Sequence, residues 1–254
     1  MSVITLTTDL GHKDYYLAKL KGYLISQQHH VQLIDICHTI DTHDIAKAAY
    51  FVKSAYKAFQ AGTIHLINVY PEYTGDSRLI LCKVDEMYFI APDNGVLSLI
   101  FPDLISDNVK VVKPNHPGET MFQTYAHVCA CIHNDLLDEC TSPCESFIER
   151  LTVQPVMSNH EIRGTIIHID KMENVVTNIS RDIFEKYRQG RDYEIYFKHN
   201  DPITSISQTY ADVPVGEVLC MFNDSDMLEI AINMGKASTL HGLYLNETIQ
   251  INFI

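Results

Sequence analysis

The stretch that most constrains the fold runs from Ile4 to Gly22. A short β-branched run, Ile4-Thr5-Leu6-Thr7-Thr8, stops at Asp9. The chain turns at Gly11, and Tyr16-Leu17-Ala18-Lys19-Leu20 takes up helical spacing. That predicts a first strand, a tight turn and a first helix. The alternation continues. Residues 31–36 read as a second strand, and Ile45, Ala48, Ala49 and Val52 share one helix face that Tyr56 and Phe59 prolong. Ala61-Gly62-Thr63 breaks that helix before a third strand at 64–69. Two further strands, 79–83 and 87–91, flank a short acidic turn. Pro92-Asp93-Asn94-Gly95 leads into helical spacing at 96–100, and a longer helix is predicted over 122–137. Strands alternating with helices predict an α/β domain with a layered, mostly parallel sheet.

Polar residues crowd 140–145 and Pro155 lies just beyond, which places a domain boundary between 1–154 and 155–254. Past it the period changes from helical to twofold. Residues 162–169, 174–179, 193–197, 228–232 and 248–253 read as short strands, and only 182–187 as helix. Such spacing predicts a smaller β-barrel domain. The hydrophobic fraction of 46% is enough for a core in each part. Formal net charge is −13 with no basic stripe, which argues against nucleic acid or an anionic membrane as partner. No apolar run is long enough to span a bilayer and no leader pattern opens the chain. Seven Cys without framework spacing point to a reducing, cytoplasmic setting.

In open α/β sheets, ligands sit outside the carboxyl ends of the strands. Asp9 and Asp14 fall there. A carboxylate at a strand end suits a ribose diol and a second one an ammonium group. The same two residues also read as a turn residue and a helix N-cap. Tyr70, Tyr73, Arg78 and Asn94 lie at later strand ends, as do Asp170, Asn174, Thr177 and Asn178 in the second half. Cys37-His38 with His43-Asp44 reads as a metal cluster or as a strand-end turn before a capped helix. Cys129, Cys131, Cys140 and Cys144 lack a second pair in metal-binding register and read as structural. No metal site is predicted. Phosphate-cradling, dinucleotide and acyl-transfer motifs are absent from the sequence.

Taken in order, these segments resemble the S-adenosylmethionine hydrolase (hydroxide adenosyltransferase) family, which also contains fluorinases and chlorinases. Thr8-Asp9-Leu10-Gly11 with Asp14 and Lys21-Gly22 is similar to its opening signature. Asp35-Ile36-Cys37-His38, Gly62-Thr63 and Ala91-Pro92-Asp93-Asn94-Gly95 match its next blocks. The motif from Ile169-Asp170 to Thr177-Asn178-Ile179 and the run from Asn223 to Gly235 complete the set. The resemblance implies attack of water or an anion on the ribose 5′-carbon of S-adenosylmethionine, a substrate rather than a cofactor, by a trimer with sites between subunits. It implies that Asp9 holds the ribose hydroxyls, that Asp14 and Asp170 contact the methionine ammonium, and that Asn174 contacts adenine.

The departures are specific. Of the family's water-preparing Asp-Arg-His set, Arg78 remains, and by the resemblance Arg78 with Tyr70 is the expected catalytic pair. Tyr70 replaces the Asp and Gln123 the His. Tyr70 with Arg78 looks like the halogenase version of the loop, with Tyr73 and Thr124 where halogenases place small or hydroxyl residues. Glu173 stands where the family usually has Gly and Val176 where it has an aromatic residue. A carboxylate at 173 is expected to repel a halide or crowd the substrate. Three readings follow: a hydrolase forming adenosine and methionine, a nucleoside-binding relative without catalysis, and a halide-using enzyme.

Overall fold

A computed structural model describes residues 2–28, 30–70, 77–198 and 201–254. It divides into two compact units, Met1–Thr152 and Val153–Ile254. The first contains β1 (Ser2–Thr8), α1 (Tyr16–Gln27), β2 (Val31–Cys37), α2 (Ile45–Ala55), β3 (Ile64–Asn68), β4 (Leu79–Val84) and β5 (Met87–Pro92). After these come α3 (Val96–Ile100), β6 (Val109–Val112), α4 (Met121–His133) and β7 (Thr141–Pro143).

The strands form one sheet in the order β2-β1-β3-β5-β4-β6-β7. Side chains alternate across it and enter two cores. Ile4, Leu6, Ile64, Leu66, Leu79 and Leu81 meet Leu20 and Leu24 of α1 and Tyr125 and Val128 of α4. Ile67, Ile80, Cys82, Phe89 and Ala91 meet Ala48 and Val52 of α2 and Val96 and Leu97 of α3. The split follows from chain direction. β2 lies on one side of β1 and β3 on the other, and right-handed crossovers that step in opposite directions place α1 and α2 on opposite faces.

The sheet is mixed rather than mostly parallel. β1 pairs in parallel with β2 and β3, and β3 with β5. β4 pairs antiparallel with β5 and β6, and β6 with β7. Asp85 and Glu86, at φ 49° and 59°, close a two-residue hairpin turn whose geometry requires antiparallel β4 and β5. The predicted helix over 122–137 ends earlier, at His133, where Asn134 leaves helical geometry and Asp135 takes φ 57°.

The second unit comprises β8 (Val156–Met157), β9 (Glu161–Ile169), β10 (Val175–Ser180), α5 (Arg181–Arg188), β11 (Tyr193–Tyr196) and β12 (Ile206–Ser207). β13 (Val218–Phe222), β14 (Met227–Ile232), α6 (Ala237–His241) and β15 (Thr248–Phe253) complete it. Its sheet runs β11-β15-β9-β10-β14-β13-β12, with β8 on β9, and every pairing is antiparallel except β12 with β13. Ile162, Ile166, Val175, Ile195, Ile230, Ile249 and Ile251 form its core around Phe184 of α5. Ser180 starts α5 by accepting the Ile183 N–H. A second helix, α6, escapes the sequence reading because five residues are too few to show a period.

One buried polar group ties stability to pH. His65 on β3 is fully buried, stacked on Phe89 at 4.7 Å and edge-on to Phe59, with Thr5 Oγ1 2.8 Å from its Nδ1. Burial pulls the imidazole down to about 4. The unfolded chain, with histidine near 6.5, therefore binds the proton first. The contribution of neutral burial is complete above pH 6.5 and is lost as pH falls toward 4, about 3 kcal/mol in all. Urea unfolding from pH 7 to pH 4 should show this component in the wild type. His65→Gln, which keeps a partner for Thr5, should lack it, and equal pH slopes for the two proteins would refute the assignment.

Candidate active site

Because β1 is flanked by parallel neighbours on both sides, the carboxyl ends of β1, β2 and β3 lie side by side at the point where strand order reverses. Asp9 leaves β1 there. Its amide donates to Asn68 O at 3.4 Å, and its Oδ2 accepts the Tyr70 amide at 3.1 Å. Behind it runs a polar relay. Lys21 Nζ donates to Asp35 Oδ2 at 2.7 Å, Asp35 Oδ1 lies 3.0 Å from His38 Nε2, and His38 Nδ1 lies 2.9 Å from Thr8 Oγ1. Burial pulls the Asp35 carboxyl up, but Lys21 and His38 outweigh it and hold it below its ordinary range. Burial also dominates at His38 and lowers its imidazole, despite Asp35. Thr8 Oγ1, paired with His38 Nδ1, also accepts the Leu10 N–H at 3.3 Å. Gly11, at φ 68°, donates to His38 O at 2.7 Å, closing the turn that presents Asp9.

Tyr70 follows β3 at φ 48° and His43 precedes α2 at φ 71°, both in the left-handed region that non-glycine residues enter at a cost. Their rings touch, with centroids 4.2 Å apart. Asn94, itself buried, clamps this end of β3. Its Nδ2 donates to Val69 O at 2.9 Å and Tyr70 O at 3.0 Å, and its Oδ1 accepts the Val96 N–H at the start of α3. Gly95 must be glycine. Its φ is 98°, and a Cβ there would stand 2.1 Å from Arg150 Cγ.

Arg78 lies in the same turn region with its charge already engaged. Nε and Nη2 donate to Asp93 Oδ2 at 2.8 and 2.7 Å, and Nη2 also reaches Ser146 O. Asp93 Oδ1 accepts the Ile148 N–H at 2.7 Å. The structure thus brings together Asp9, Tyr70 and Asn94, and ties Arg78 to Asp93 beside them.

Gln123 is taken up by helix capping. Its Oε1 accepts Thr120 N–H at 3.0 Å and Thr120 Oγ1–H at 2.7 Å, the reciprocal arrangement of a capping box. Thr120-Met121-Phe122-Gln123 carries that signature in the sequence. Thr124, nearly buried, donates to Glu119 Oε2 at 3.2 Å. Asp14 is exposed and does not cap α1, whose N-cap position is Tyr15 without a side-chain bond. Asp44 does cap α2, accepting Lys47 N–H at 2.9 Å. Tyr73 lies outside the described residues. Among the described residues no three His, Cys, Asp or Glu side chains converge as a metal cluster.

In the second unit, Asp170 and Asn174 shape the β9–β10 turn. Asp170 Oδ1 accepts the Met172 and Asn174 amides, each at 2.8 Å, and Oδ2 accepts Asn174 Nδ2 at 3.1 Å. Between them Glu173 adopts φ 63°, which explains why glycine suits this position. Its carboxylate receives Lys236 Nζ at 2.6 Å, the Thr239 amide at 3.1 Å and the Thr239 hydroxyl. Lys236, then Thr239, hold the Glu173 carboxyl below its usual range. The charge expected to repel a halide is therefore neutralised at the start of α6. Val176 is buried in the sheet, and Thr177 and Asn178 bind backbone, at Leu228 O and at the Thr165 amide and Val153 O. Glu229, buried on β14, escapes the sequence reading because its strand alternates like any other. Tyr210 and Asn223 donate to it, and burial raises its carboxyl nonetheless.

The Asn94 clamp has a measurable weight. Asn94→Ala leaves the Val96 amide and the Val69 carbonyl without partners inside the core, a loss of about 2–3 kcal/mol. Chemical denaturation should show it, and a change below 0.5 kcal/mol would remove Asn94 from that role.

Residues 4–131 match the model of the SAM hydroxide adenosyltransferase N-terminal domain, and residues 164–250 that of its C-terminal domain. The chain is 25% identical over 260 residues to a protein named (R)-S-adenosyl-L-methionine hydrolase in Methanocaldococcus jannaschii, covering 97% of this chain and 95% of that one. It is 21% identical over 288 residues to a fluorinase of Nocardia brasiliensis, covering 98% and 96%. The crystal structure of an uncharacterized conserved protein from Thermotoga maritima superposes with a TM-score of 0.86 at 25% identity, covering 98% of this chain and 99% of that one. Both family domains are present in order, and the chain belongs to the SAM hydroxide adenosyltransferase family.

Proposed function

We propose that the protein hydrolyses S-adenosylmethionine to adenosine and methionine. The observation that carries this reading is Asp9. A carboxylate stands at the carboxyl end of β1, at the reversal of strand order, held by the Tyr70 amide through one oxygen. That presents an acceptor suited to a ribose diol. Relatives spanning nearly the whole chain and named (R)-S-adenosyl-L-methionine hydrolase support the same substrate. Water attacks the ribose 5′-carbon in line with the departing sulfonium. The C–S bond breaks toward sulfur, leaving the neutral thioether of methionine, and one proton is released. Holding water and sulfonium in line lowers the barrier to such a displacement.

Within this reading Tyr70 and Arg78 are the catalytic pair, with Arg78 held beside the strand-end turn by Asp93. Asp14 and Asp170 contact the methionine end, and Asn174 the adenine. Tyr73, Gln123 and Thr124 surround the site. The closed barrel of the second unit, a homotrimer with shared sites, a cytoplasmic location and the absence of any cofactor belong to the same proposal. A second reading, nucleoside binding without turnover, draws on Gln123 being occupied as a cap and Arg78 being paired with Asp93.

Incubating the pure protein with S-adenosylmethionine, with and without halide, and following products by mass spectrometry separates these readings. Adenosine and methionine without halide are expected. A 5′-halo-adenosine would instead identify a halide user, and adenosine binding without any product would leave the second reading. Asp9→Asn removes a charge-assisted acceptor worth about 1.5–3 kcal/mol, so adenosine affinity should fall roughly 10- to 100-fold. Unchanged affinity by calorimetry would place the nucleoside elsewhere.

A further inference from the structure

We infer that Cys131 and Cys140 are a redox-active thiol pair, oxidised by a peroxide to a disulfide with His127 as proton acceptor for Cys131. The pair lies outside the site described above and does not depend on the hydrolytic reading. Spacing along the chain makes these cysteines structural. Among the described residues no group of three His, Cys, Asp or Glu side chains is arranged to hold a metal. The fold nevertheless brings two thiols together beside an imidazole.

Cys131 stands in the last turn of α4. The chain then reverses at once. The Leu136 amide donates to Cys131 O at 2.8 Å, Asp135 takes φ 57°, and the Glu139 amide donates to Leu136 O at 3.1 Å. These turns carry Cys140 back onto the end of the helix, where the Lys113 amide fixes it by donating to Cys140 O at 2.8 Å. Both side chains enter the core on the face that α1 and α4 cover. There the thiols meet: burial, then the adjacent Cys131 side chain, push the Cys140 thiol up to about 12.

The two members differ. Cys140 Sγ donates to Leu137 O at 3.4 Å. Cys131 Sγ lies 3.6 Å from Nε2 of His127, four residues earlier and on the same helix face. His127 is half-buried, so its ring links the thiol to solvent. A thiol beside an imidazole gains thiolate character, and the thiolate is the nucleophile. Cys131 is therefore the sulfur that attacks and Cys140 the one that resolves. Cys129, in the same cluster, is fully buried, and burial raises its thiol.

The chemistry balances. The Cys131 proton passes to His127, and the thiolate attacks one peroxide oxygen. The O–O bond breaks, and His127 returns the proton to the departing hydroxide, leaving a sulfenic acid and one water. Cys140 sulfur then attacks Cys131 sulfur, the S–O bond breaks, and the hydroxyl leaves with the Cys140 proton as a second water. Two electrons pass from the sulfurs to the peroxide. The new bond fastens the end of α4 to the residue that enters β7, and in a reducing compartment such a bond is transient.

Mass spectrometry of the full chain treated with hydrogen peroxide tests this. The wild type should lose the mass of two hydrogens, reversibly with dithiothreitol, and peptide mapping without reductant should join Cys131 to Cys140. Cys140→Ser should stop at the sulfenic acid, trapped by dimedone on Cys131. His127→Leu should form the disulfide about 10-fold more slowly at pH 7, whereas Cys144→Ser should oxidise like the wild type. No mass loss in the wild type, a disulfide mapped to another pair, a dimedone adduct on another cysteine, or an unchanged rate in His127→Leu would each overturn the inference. The pairing is read from the wild type, so a variant that fails to fold leaves it testable.

Discussion

The Tyr70 amide reaches the Asp9 carboxylate because β1 lies between two parallel neighbours. Strand order alone sets this. When the chain steps from β1 to β2 and then back across to β3, the ends of all three strands open on the same edge, and their connections leave on opposite faces. A carboxylate placed at the end of β1 then meets the backbone emerging from β3, sixty-one positions later in the chain. Two further sets of polar contacts brace that junction. The Lys21–Asp35–His38–Thr8 relay secures the turn from behind, and Asn94 secures the end of β3 from the far side.

This arrangement places polar groups under different constraints according to burial. Thr8, His38 and Asn94 are nearly inaccessible, and an unpaired donor or acceptor there costs more than a hydrogen bond normally contributes. Thr8 Oγ1, His38 Nδ1 and the Asn94 amide find their partners within the unit. Asp14 and His43 are exposed, and water meets their needs at no structural cost. Groups of the second kind can change without unfolding the protein.

Glu173 shows how a departure from a family pattern is absorbed. A residue with a side chain at φ 63° is strained, yet this one fastens the β9–β10 turn to α6 through Lys236 and Thr239. The electrostatic objection to a carboxylate at that place disappears once its partners are known. Lys236 lies sixty-three residues away in sequence, so nothing local in the chain announces the pair.

Periodicity in the sequence determined the strand–turn–helix opening, the alternation that follows it and the change to twofold spacing in the second half, because side-chain burial repeats with local geometry. The motif order also determined the family. Local chemistry was legible at Asp44, since a cap needs only neighbouring residues; the Thr120–Gln123 signature was as local, but the resemblance assigned Gln123 to the site instead. Only the tertiary structure decided that the first sheet is mixed, that Arg78 belongs to Asp93, that Asp170 and Asn174 bind one another, and that His43 rests on Tyr70. Each of these depends on which strands become neighbours or on how a turn closes, and spacing along the chain does not encode either.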